Sequence, residues 1–235
     1  MEKLSILIAV YNEDQTIYKV LSIIDDLKLI DDIKKEVIVI NDCSSDDSKN
    51  EIENFISQTK SDFKLINHQI NKGKGAAIKT GVKEATGDYI IIQDADLELN
   101  PTEINDLLTV VQNNEADIVY GSRFLNQSKK GGTFLSNMAN SFLTFLSNLV
   151  FRTSITDMET CYKLVPTKVF KSLNLVEERF GFEPEITAKL AKIKTLRWKE
   201  VPITYNARTD DEGKKIGWTD GVRAVWCILK YGFGK

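Results

Sequence analysis

The sequence is poor in the residues that build most metal and nucleophile sites, with one histidine and three cysteines among 235 residues. The single histidine, His68, excludes metal sites that need two imidazoles and leaves a Ser-His-Asp arrangement only one candidate base. The cysteines, Cys43, Cys161 and Cys227, form no CxxC pair. Because the cysteines are few and odd in number, we predict reduced thiols in a cytosolic protein, without a disulfide framework or a zinc site.

Long hydrophobic runs are also missing. The longest apolar stretch, residues 142–151, is interrupted by polar side chains and reaches about half the length of a membrane-spanning helix. No signal segment precedes the first apolar run. The sequence therefore predicts no transmembrane segment and a cytoplasmic location.

Neither sign of charge is in large excess, since 31 basic residues stand against 34 acidic ones, for a formal net charge of -3. This balance lacks the basic footprint of a nucleic-acid-binding protein, so we expect no nucleic-acid partner. The charge is unevenly spread, because residues 186–235 hold 11 basic and 5 acidic side chains. A basic C-terminal part indicates either an anionic partner or a solvated basic surface.

In the first half of the chain, short apolar runs alternate with helical patterns. The runs that predict strands are residues 4–11, 36–40, 63–67, 88–93 and 117–120, and the helical patterns lie at 17–27, around 52–55, at 74–85 and after Pro101. This alternation predicts a single α/β domain with a mostly parallel sheet flanked by helices. Ligands of such sheets bind at the carboxyl ends of the strands.

The second half is less regular. It predicts helices at residues 137–152, 183–192 and 220–231 and strands at 161–165 and 196–205. Helix 137–152 is amphipathic, which suits either a core helix or one that lies in a membrane interface. Two glycine- and charge-rich loops, residues 127–133 and 208–217, have a composition typical of lids.

Acidic residues follow two of the predicted strands. Asp94 and Asp96 emerge together after a buried strand, with Glu98 two residues further on. Paired carboxylates can hold one Mg²⁺ that also takes phosphate oxygens, although acidic clusters after strands also cap helices. Asp42, after the second strand, is open to the same two interpretations.

A glycine-lysine loop, NKGKGAA at residues 71–77, opens a predicted helix. The backbone N–H groups and a lysine of such a loop can bind a phosphate. The loop has neither the spacing of a Walker motif nor the GxGxxG of a dinucleotide site. We expect His68, just before it, to be a hydrogen-bonded residue at a strand end and not a catalytic base.

Taken together and in order, eight segments resemble family 2 glycosyltransferases of the GT-A (Rossmann-like) fold. Within that family the similarity is to the polyprenyl-phosphate (dolichol-phosphate) mannosyl- and glucosyltransferases. The segments are AVYNE (9–13), INDCSSDDS (40–48), NKGKGAA (71–77), QDADLELNP (93–101), GSR (121–123), TDMETCYKL (156–164), GFEPEITAKLA (181–191) and EVPITYNARTDDEGKKIGWTDG (200–221). Residue 9 is alanine where the family often has proline. Residue 43 is cysteine where it often has glycine, so a turn there with positive φ would strain Cys43.

The resemblance implies a site for a nucleotide-sugar donor in residues 1–125 and an acceptor site in residues 126–235. It assigns donor binding to Tyr11, Asn12, Glu13, Asp42, Lys74, Gly75, Asp94, Ala95, Asp96 and Arg123. It assigns Mg²⁺ or Mn²⁺ to Asp94, Asp96 and Glu98. It assigns acceptor or phosphate contacts to Arg123, Arg208, Lys214 and Lys215. The catalytic candidates are Asp96, Arg208, Lys215, Glu183 and Glu185.

The implied reaction is an inverting, metal-dependent transfer of a hexose from a GDP-mannose or UDP-glucose type of donor to a polyprenyl phosphate. A phosphate acceptor is already ionised near pH 7 and needs no strong base. A hydroxyl acceptor would need a general base, and Glu183 or Glu185 would then serve. The alternative is that both acids only stabilise the N-terminus of their helix by interacting with its dipole. Arg208, Lys214, Lys215 and Arg223 would draw in the lipid phosphate and an anionic membrane surface.

Two alternatives stay open. One is a family 2 enzyme that acts on a saccharide or other hydroxyl acceptor in cell-surface polysaccharide synthesis. The other is a catalytically degenerate protein that only binds nucleotide sugars. A sugar-1-phosphate nucleotidyltransferase is disfavoured, because no GxGTRL-type segment follows the first strand. Transfer to a polyprenyl phosphate would place the protein peripherally on the cytoplasmic face of a membrane. It is also compatible with a membrane-anchored partner subunit.

Overall fold

The fold is an open sheet with helices on its faces, seen in a computed structural model that describes residues 1–125, 134–208 and 218–234. The strands are β1 (Lys3–Val10), β2 (Lys34–Asn41), β3 (Phe63–Asn67), β4 (Tyr89–Asp94), β5 (Ile118–Ser122), β6 (Lys163–Pro166) and β7 (Trp198–Pro202). The helices are α1 (Ile17–Asp26), α2 (Ser48–Gln58), α3 (Lys74–Glu84), α4 (Ile104–Gln112), α5 (Phe134–Phe151), α6 (Thr167–Ser172), α7 (Phe182–Ala191) and α8 (Trp218–Phe233).

The strands form one sheet in the order β3-β2-β1-β4-β6-β5-β7. Parallel pairing joins β3, β2, β1 and β4, and also β5 and β7. Only β6 runs antiparallel to its neighbours among the described strands. The predicted mostly parallel α/β sheet is confirmed. The direction of β6 and the short helix α6 were not predicted, because a four-residue apolar run carries no signal for the direction of its strand.

The core lies on both faces of the sheet. Side chains of neighbouring strands such as Ile6, Ile8 and Ile91 are fully buried, and each such side chain stabilises the fold by about 1.5–3 kcal/mol. Continuous apolar strands are what a sheet covered on both faces requires. This packing fixes where each strand ends.

Three strands end side by side. The register pairs Val10 with Asn41 and Ala9 with Asp94, so the residues after β1, β2 and β4 share one end of the sheet. We call this end, formed by residues 11–13, 42–43 and 94–96, the carboxyl edge. The opposite end, where Ser5 pairs with Glu36, is the amino edge.

Helices α5 and α8 pack against each other and each exposes apolar side chains. These are Leu135, Met138, Phe142, Phe145 and Leu149 on α5 and Val222, Trp226, Leu229 and Phe233 on α8, all at least 43% exposed. We call this set the apolar face. Because Leu143 and Phe151 of α5 are buried in the core, α5 contributes both to the core and to an exposed surface.

In the described ranges, no helix combines the length and the apolar character needed to cross a membrane. The predicted loop at residues 127–133 and most of the loop at 208–217, including Lys214 and Lys215, lie outside the described residues.

Candidate active site

A cavity of about 360 Å³ opens at the carboxyl edge of the sheet. Among the predicted donor residues, Tyr11, Glu13, Asp42 and Lys74 line it. The cluster after β4 lines it as well, with Asp94, Ala95, Asp96 and Glu98, and Arg208 closes it from the second half of the chain. A second cavity, of about 390 Å³ beside Arg152 and Lys194, contains none of the predicted site residues.

Asp42 is held by the glycine-lysine loop. Its carboxylate, in a residue 2% exposed, accepts hydrogen bonds from the backbone N–H of Lys72 at 3.0 Å and of Gly73 at 2.6 Å. The ring of His68 lies 2.6 Å from the same carboxylate through Nδ1 and 2.9 Å from the Thr80 hydroxyl through Nε2. His68 is therefore a hydrogen-bonded residue after the end of β3, as predicted, and it braces Asp42.

The turns after β1 and β2 are tied together. Cys43 has φ 59° and Asn12 has φ 53°, so the strain predicted for Cys43 is present. The Asn12 side chain accepts a hydrogen bond from the backbone N–H of Ser45 at 2.8 Å, and the backbone N–H of Asn12 donates to the Ser44 hydroxyl. Asn12 thus positions the turn beside the cavity and does not line it.

Two basic side chains reach the carboxylates proposed to hold metal. Lys74 Nζ lies 2.7 Å from Asp94 Oδ1. The guanidinium of Arg208 lies 2.6 Å from Asp96 and 3.0 Å from Glu13, and the backbone N–H of Arg208 donates to Glu98 at 2.9 Å. Arg208 thereby links the second half of the chain to the carboxyl edge of the sheet.

The acidic cluster is crowded. Burial, together with the neighbouring charges of Asp94 and Glu98, raises the pKa of Asp96 to about 7, although Arg208 opposes the shift. Burial acts in the same direction on Asp94, but Lys74 outweighs it and lowers the pKa of that carboxyl. Burial and the nearby Glu98 raise the pKa of Tyr205, another residue of the cavity wall, to about 12. Negative charge is therefore in excess here, and strongly perturbed pKa values of this kind are typical of functional sites.

This excess suits a divalent cation. The donor atoms are carboxylate oxygens, which Mg²⁺ and Mn²⁺ prefer, and Mg²⁺ is commonly held by only one or two carboxylates plus substrate phosphates. Among the described residues, no three acidic, histidine or cysteine side chains are arranged to hold a metal ion together, and this includes the predicted set of Asp94, Asp96 and Glu98. Asp94 and Asp96 thus fit an ion that is completed by a ligand's own oxygens, and Glu98 is engaged by Tyr205 and by the backbone of Arg208.

Other predicted residues lie behind the cavity wall. Arg123 is held by Asp157 through two hydrogen bonds of 2.7 and 2.8 Å, and its guanidinium stacks 5.1 Å from the ring of Tyr205. It therefore reaches the cavity only through Tyr205. Gly75 lies in the first turn of α3, where an added Cβ would come within 2.6 Å of the carbonyl oxygen of Glu177.

The two candidate bases are both buried and ion-paired, although Oε1 of Glu183 has no hydrogen-bond partner among the described residues. Glu183 is ion-paired with the fully buried Lys163 and lies 3.8 Å from Lys74. Glu185 is fully buried, accepts hydrogen bonds from the backbone N–H groups of residues 176 and 177 and pairs with Lys189. Neither side chain lines the cavity, and no described contact brings Glu185 to it.

Two of the wall residues that were not predicted lie outside all eight segments of the resemblance. Arg179 and Phe180, in the segment before α7, line the cavity. The backbone N–H of Ala76 donates to the carbonyl of Glu178 at 3.0 Å, and a Cβ on Gly73 would come within 2.7 Å of the Arg179 side chain. The signal for this contact is the run of small residues in NKGKGAA, which leaves space for another backbone.

Comparison with known proteins finds relatives that are similar over most of the chain. The chain is 27% identical over 234 residues to the dolichol-phosphate mannosyltransferase of Pyrococcus furiosus, covering 97% of this chain and 64% of that relative. It is 29% identical over 189 residues to a dolichyl-phosphate beta-glucosyltransferase of Trichomonas vaginalis, covering 77% of this chain and 56% of that relative. The chain thus spans less than two thirds of the length of either relative.

The fold has solved counterparts. Glucosyl-3-phosphoglycerate synthase from Mycobacterium tuberculosis, crystallised with Mn²⁺, uridine diphosphate and phosphoglyceric acid, superposes with a TM-score of 0.72 at 15% identity, covering 99% of this chain and 79% of that one. This likeness confirms the predicted GT-A fold. At the level of sequence, the model of the family described as "Glycosyl transferase family 2" matches residues 5–173. Because that match spans well over half of the sequence, the chain belongs to glycosyl transferase family 2.

Proposed function

We propose that the protein transfers a hexose, with inversion, from a nucleoside diphosphate sugar to a polyprenyl phosphate. The observation that carries this proposal is the cavity at the carboxyl edge, where Asp94, Asp96 and Glu98 lie beside Lys74 and Arg208. Paired acids for a metal and flanking cations for phosphates are what a diphosphate leaving group requires. The two dolichol-phosphate relatives support the acceptor class.

The donor would lie along the carboxyl edge. Tyr11, Glu13 and Asp42 form the part of the wall suited to the nucleoside, and Asp42 is already fixed by the glycine-lysine loop. Asp94 and Asp96 would hold Mg²⁺ or Mn²⁺, which when bound offsets the negative charge of the departing diphosphate. Lys74 and Arg208, now paired with these acids, are placed to contact phosphate oxygens instead.

The acceptor assignment is supported by the state of the candidate bases. A phosphate oxygen is already ionised, so the enzyme needs to orient it and to exclude water. A hydroxyl acceptor would require a carboxylate base within hydrogen-bond reach. Glu185 is instead committed to Lys189 and to backbone N–H groups, and Glu183 is paired with Lys163 outside the cavity lining, which favours the phosphate acceptor.

The apolar face supports a peripheral position on a membrane, which we propose to be on the cytoplasmic side. Its residues recur at spacings of three and four along α5 and α8, so each helix presents one apolar stripe. Arg223 and Lys230 on α8 lie beside Trp226, with their charged groups 4.4 and 4.5 Å from its ring. An apolar stripe bordered by basic side chains suits an anionic interface. A membrane-anchored partner subunit stays a prediction, which co-purification from membranes would test.

A transfer assay tests the proposal. The protein is incubated with Mn²⁺, GDP-mannose or UDP-glucose, and either a polyprenyl phosphate or the corresponding polyprenol. Product with the phosphate and none with the free alcohol supports the proposal. Transfer to a saccharide or alcohol alone would move the protein to the hydroxyl-acceptor alternative. Donor binding without any transfer would support the degenerate binder, and a thermal-shift panel of nucleotide sugars reports that binding.

A further inference from the structure

The segment from Val176 to Gly181 connects α6 to α7 and brings Arg179 and Phe180 into the wall of the donor cavity. It contains no regular secondary structure before α7. Its position is therefore set by what it contacts on either side. Those contacts come from two elements that are distant in sequence, α3 and α8.

On the α3 side the contact is between backbones. The N–H of Ala76 donates to the carbonyl of Glu178 at 3.0 Å. A Cβ added at Gly73 would lie 2.6 Å from the Glu178 carbonyl oxygen, and one at Gly75 would lie 2.6 Å from that of Glu177. The segment thus packs directly on the loop whose N–H groups hold Asp42.

On the α8 side the contact is made by one buried carboxylate. The side chain of Glu177 is 5% exposed and accepts from Arg223 at 2.7 Å, from Lys230 at 3.0 Å and from the Tyr231 hydroxyl at 2.7 Å. Its own backbone N–H donates to Glu185 at 2.7 Å. Three donors from α8 therefore converge on a residue two positions before Arg179.

We propose that Glu177 is a positioning residue for the donor, which holds the segment carrying Arg179 and Phe180 between α8 and the glycine-lysine loop. The inference rests on the proposed function, because it assumes that the cavity takes a nucleotide sugar. Glu177 does not line the cavity itself. Its loss acts through two wall residues, and small displacements of positioning groups have large effects on binding and rate.

A second buried carboxylate provides a matched control. Glu36, at the amino edge, is 7% exposed and accepts from Lys3, Ser5, Thr86 and Gly87. It has the same chemistry, similar burial and a similar number of donors, but its partners lie at the end of the sheet opposite the cavity. A purely structural role predicts the same behaviour for both residues.

The experiment compares E177Q with E36Q by the KM and kcat for GDP-mannose and UDP-glucose and by titration of each donor with Mn²⁺. We expect both variants to lower the melting temperature, but only E177Q to weaken donor binding and raise the donor KM, by about tenfold, which is 1.4 kcal/mol. Because E177Q could fail to fold, Y231F, which removes one of the three α8 donors, provides a milder test and should raise the donor KM about threefold. E177D should recover part of the loss.

The outcomes separate the two proposals. If the wild-type protein binds GDP-mannose or UDP-glucose and E177Q or Y231F binds it equally well, the positioning role is overturned and the proposed function is not. An equal rise in KM for E36Q also overturns the positioning role, because the effect would then follow from lost stability. If the wild-type protein binds neither donor, the proposed function fails and the inference fails with it.

Discussion

The pKa of a buried carboxyl group is lowered at one end of the sheet, at Glu36, and raised at the other end, at Asp96. At the amino edge, burial tends to raise the pKa of Glu36, but Lys3, Ser5 and Thr86 outweigh it and lower that pKa to about 2. At the carboxyl edge, burial and two acidic neighbours raise the pKa of Asp96 to about 7. The two residues are 7% and 6% exposed, so burial alone does not separate them. The amino edge supplies donors that stabilise the fold, whereas the carboxyl edge leaves negative charge for a ligand to neutralise.

The largest effect that would test this contrast is on turnover. Asp96→Asn removes a proposed metal ligand, and we expect the transfer rate to fall by about 1000-fold, which corresponds to several kcal/mol of lost charge stabilisation. The melting temperature without metal should stay the same or rise, because a neutral side chain relieves the crowding with Asp94 and Glu98. Transfer assays and thermal unfolding measure the two quantities. Full activity in this variant would remove Asp96 from the site.

Acid unfolding tests the amino edge. The pKa of Glu36 is about 2 in the folded protein, below the usual 4.5 of a glutamate, so the folded state binds its proton less readily than the unfolded state. The contribution of Glu36 is therefore fully present above pH 4.5 and is lost as the pH falls towards 2, by about 3 kcal/mol. Urea unfolding at pH 7 and at pH 3 measures most of this change, about 2 kcal/mol, because the folded-state pKa lies below pH 3. E36Q should lose this part of the pH dependence, and an unchanged slope would contradict the assignment.

Glycines at the two ends sharpen the contrast. Gly73 has φ 94°, and a Cβ there would lie 2.6 Å from the Glu178 carbonyl oxygen. A Cβ on Gly87, at the amino edge, would lie 2.7 Å from the Ser5 hydroxyl. We expect Gly73→Ala and Gly87→Ala each to cost about 2 kcal/mol of folding free energy. Only Gly73→Ala should also raise the donor KM, because its loop holds Asp42.

The smallest effect on the fold is expected away from both edges. Phe145 and Leu149 of the apolar face are 65% and 67% exposed. Replacing both with serine should change the free energy of unfolding by no more than about 0.5 kcal/mol and leave donor binding intact. Binding to anionic liposomes should weaken about tenfold. Liposome sedimentation of the variant and the wild type would show this, and equal binding would remove the apolar face from the proposed docking surface.

Much of the fold could be predicted from periodicity. The bounds of β3 are those expected, and α3 and α7 end within one residue of the expected position. Continuous apolar runs mark buried parallel strands, and their lengths bring the predicted acids to one edge. The prediction was weaker for β7, which is shorter than the alternating pattern at 196–205, because alternation continues beyond the last paired residue.

The candidate site could be predicted in its residue types but not in its pairings. Nine predicted residues line one cavity. The contact of Arg208 with Asp96 joins residues 112 positions apart, and nothing in the local sequence specifies it. The same is true of Arg123, which the resemblance assigned to phosphate and which Asp157 holds in the structure. Arg179 and Phe180 were not predicted, because their place in the cavity wall depends on the path of the backbone past Gly73 and Gly75.

Cys43, in the strained turn, should report ligand binding through the reactivity of its thiol. Cys161 and Cys227 are 5% and 0% exposed, and burial raises the pKa of both thiols, which slows their alkylation. Cys43 is partly exposed, and the residue before it, Asp42, lines the cavity. A thiol reagent should therefore label this position first, and a donor seated against Asp42 should protect it. Cys43, which stands where the family often has glycine, should therefore allow ligand binding to be followed by thiol labelling, without an engineered label.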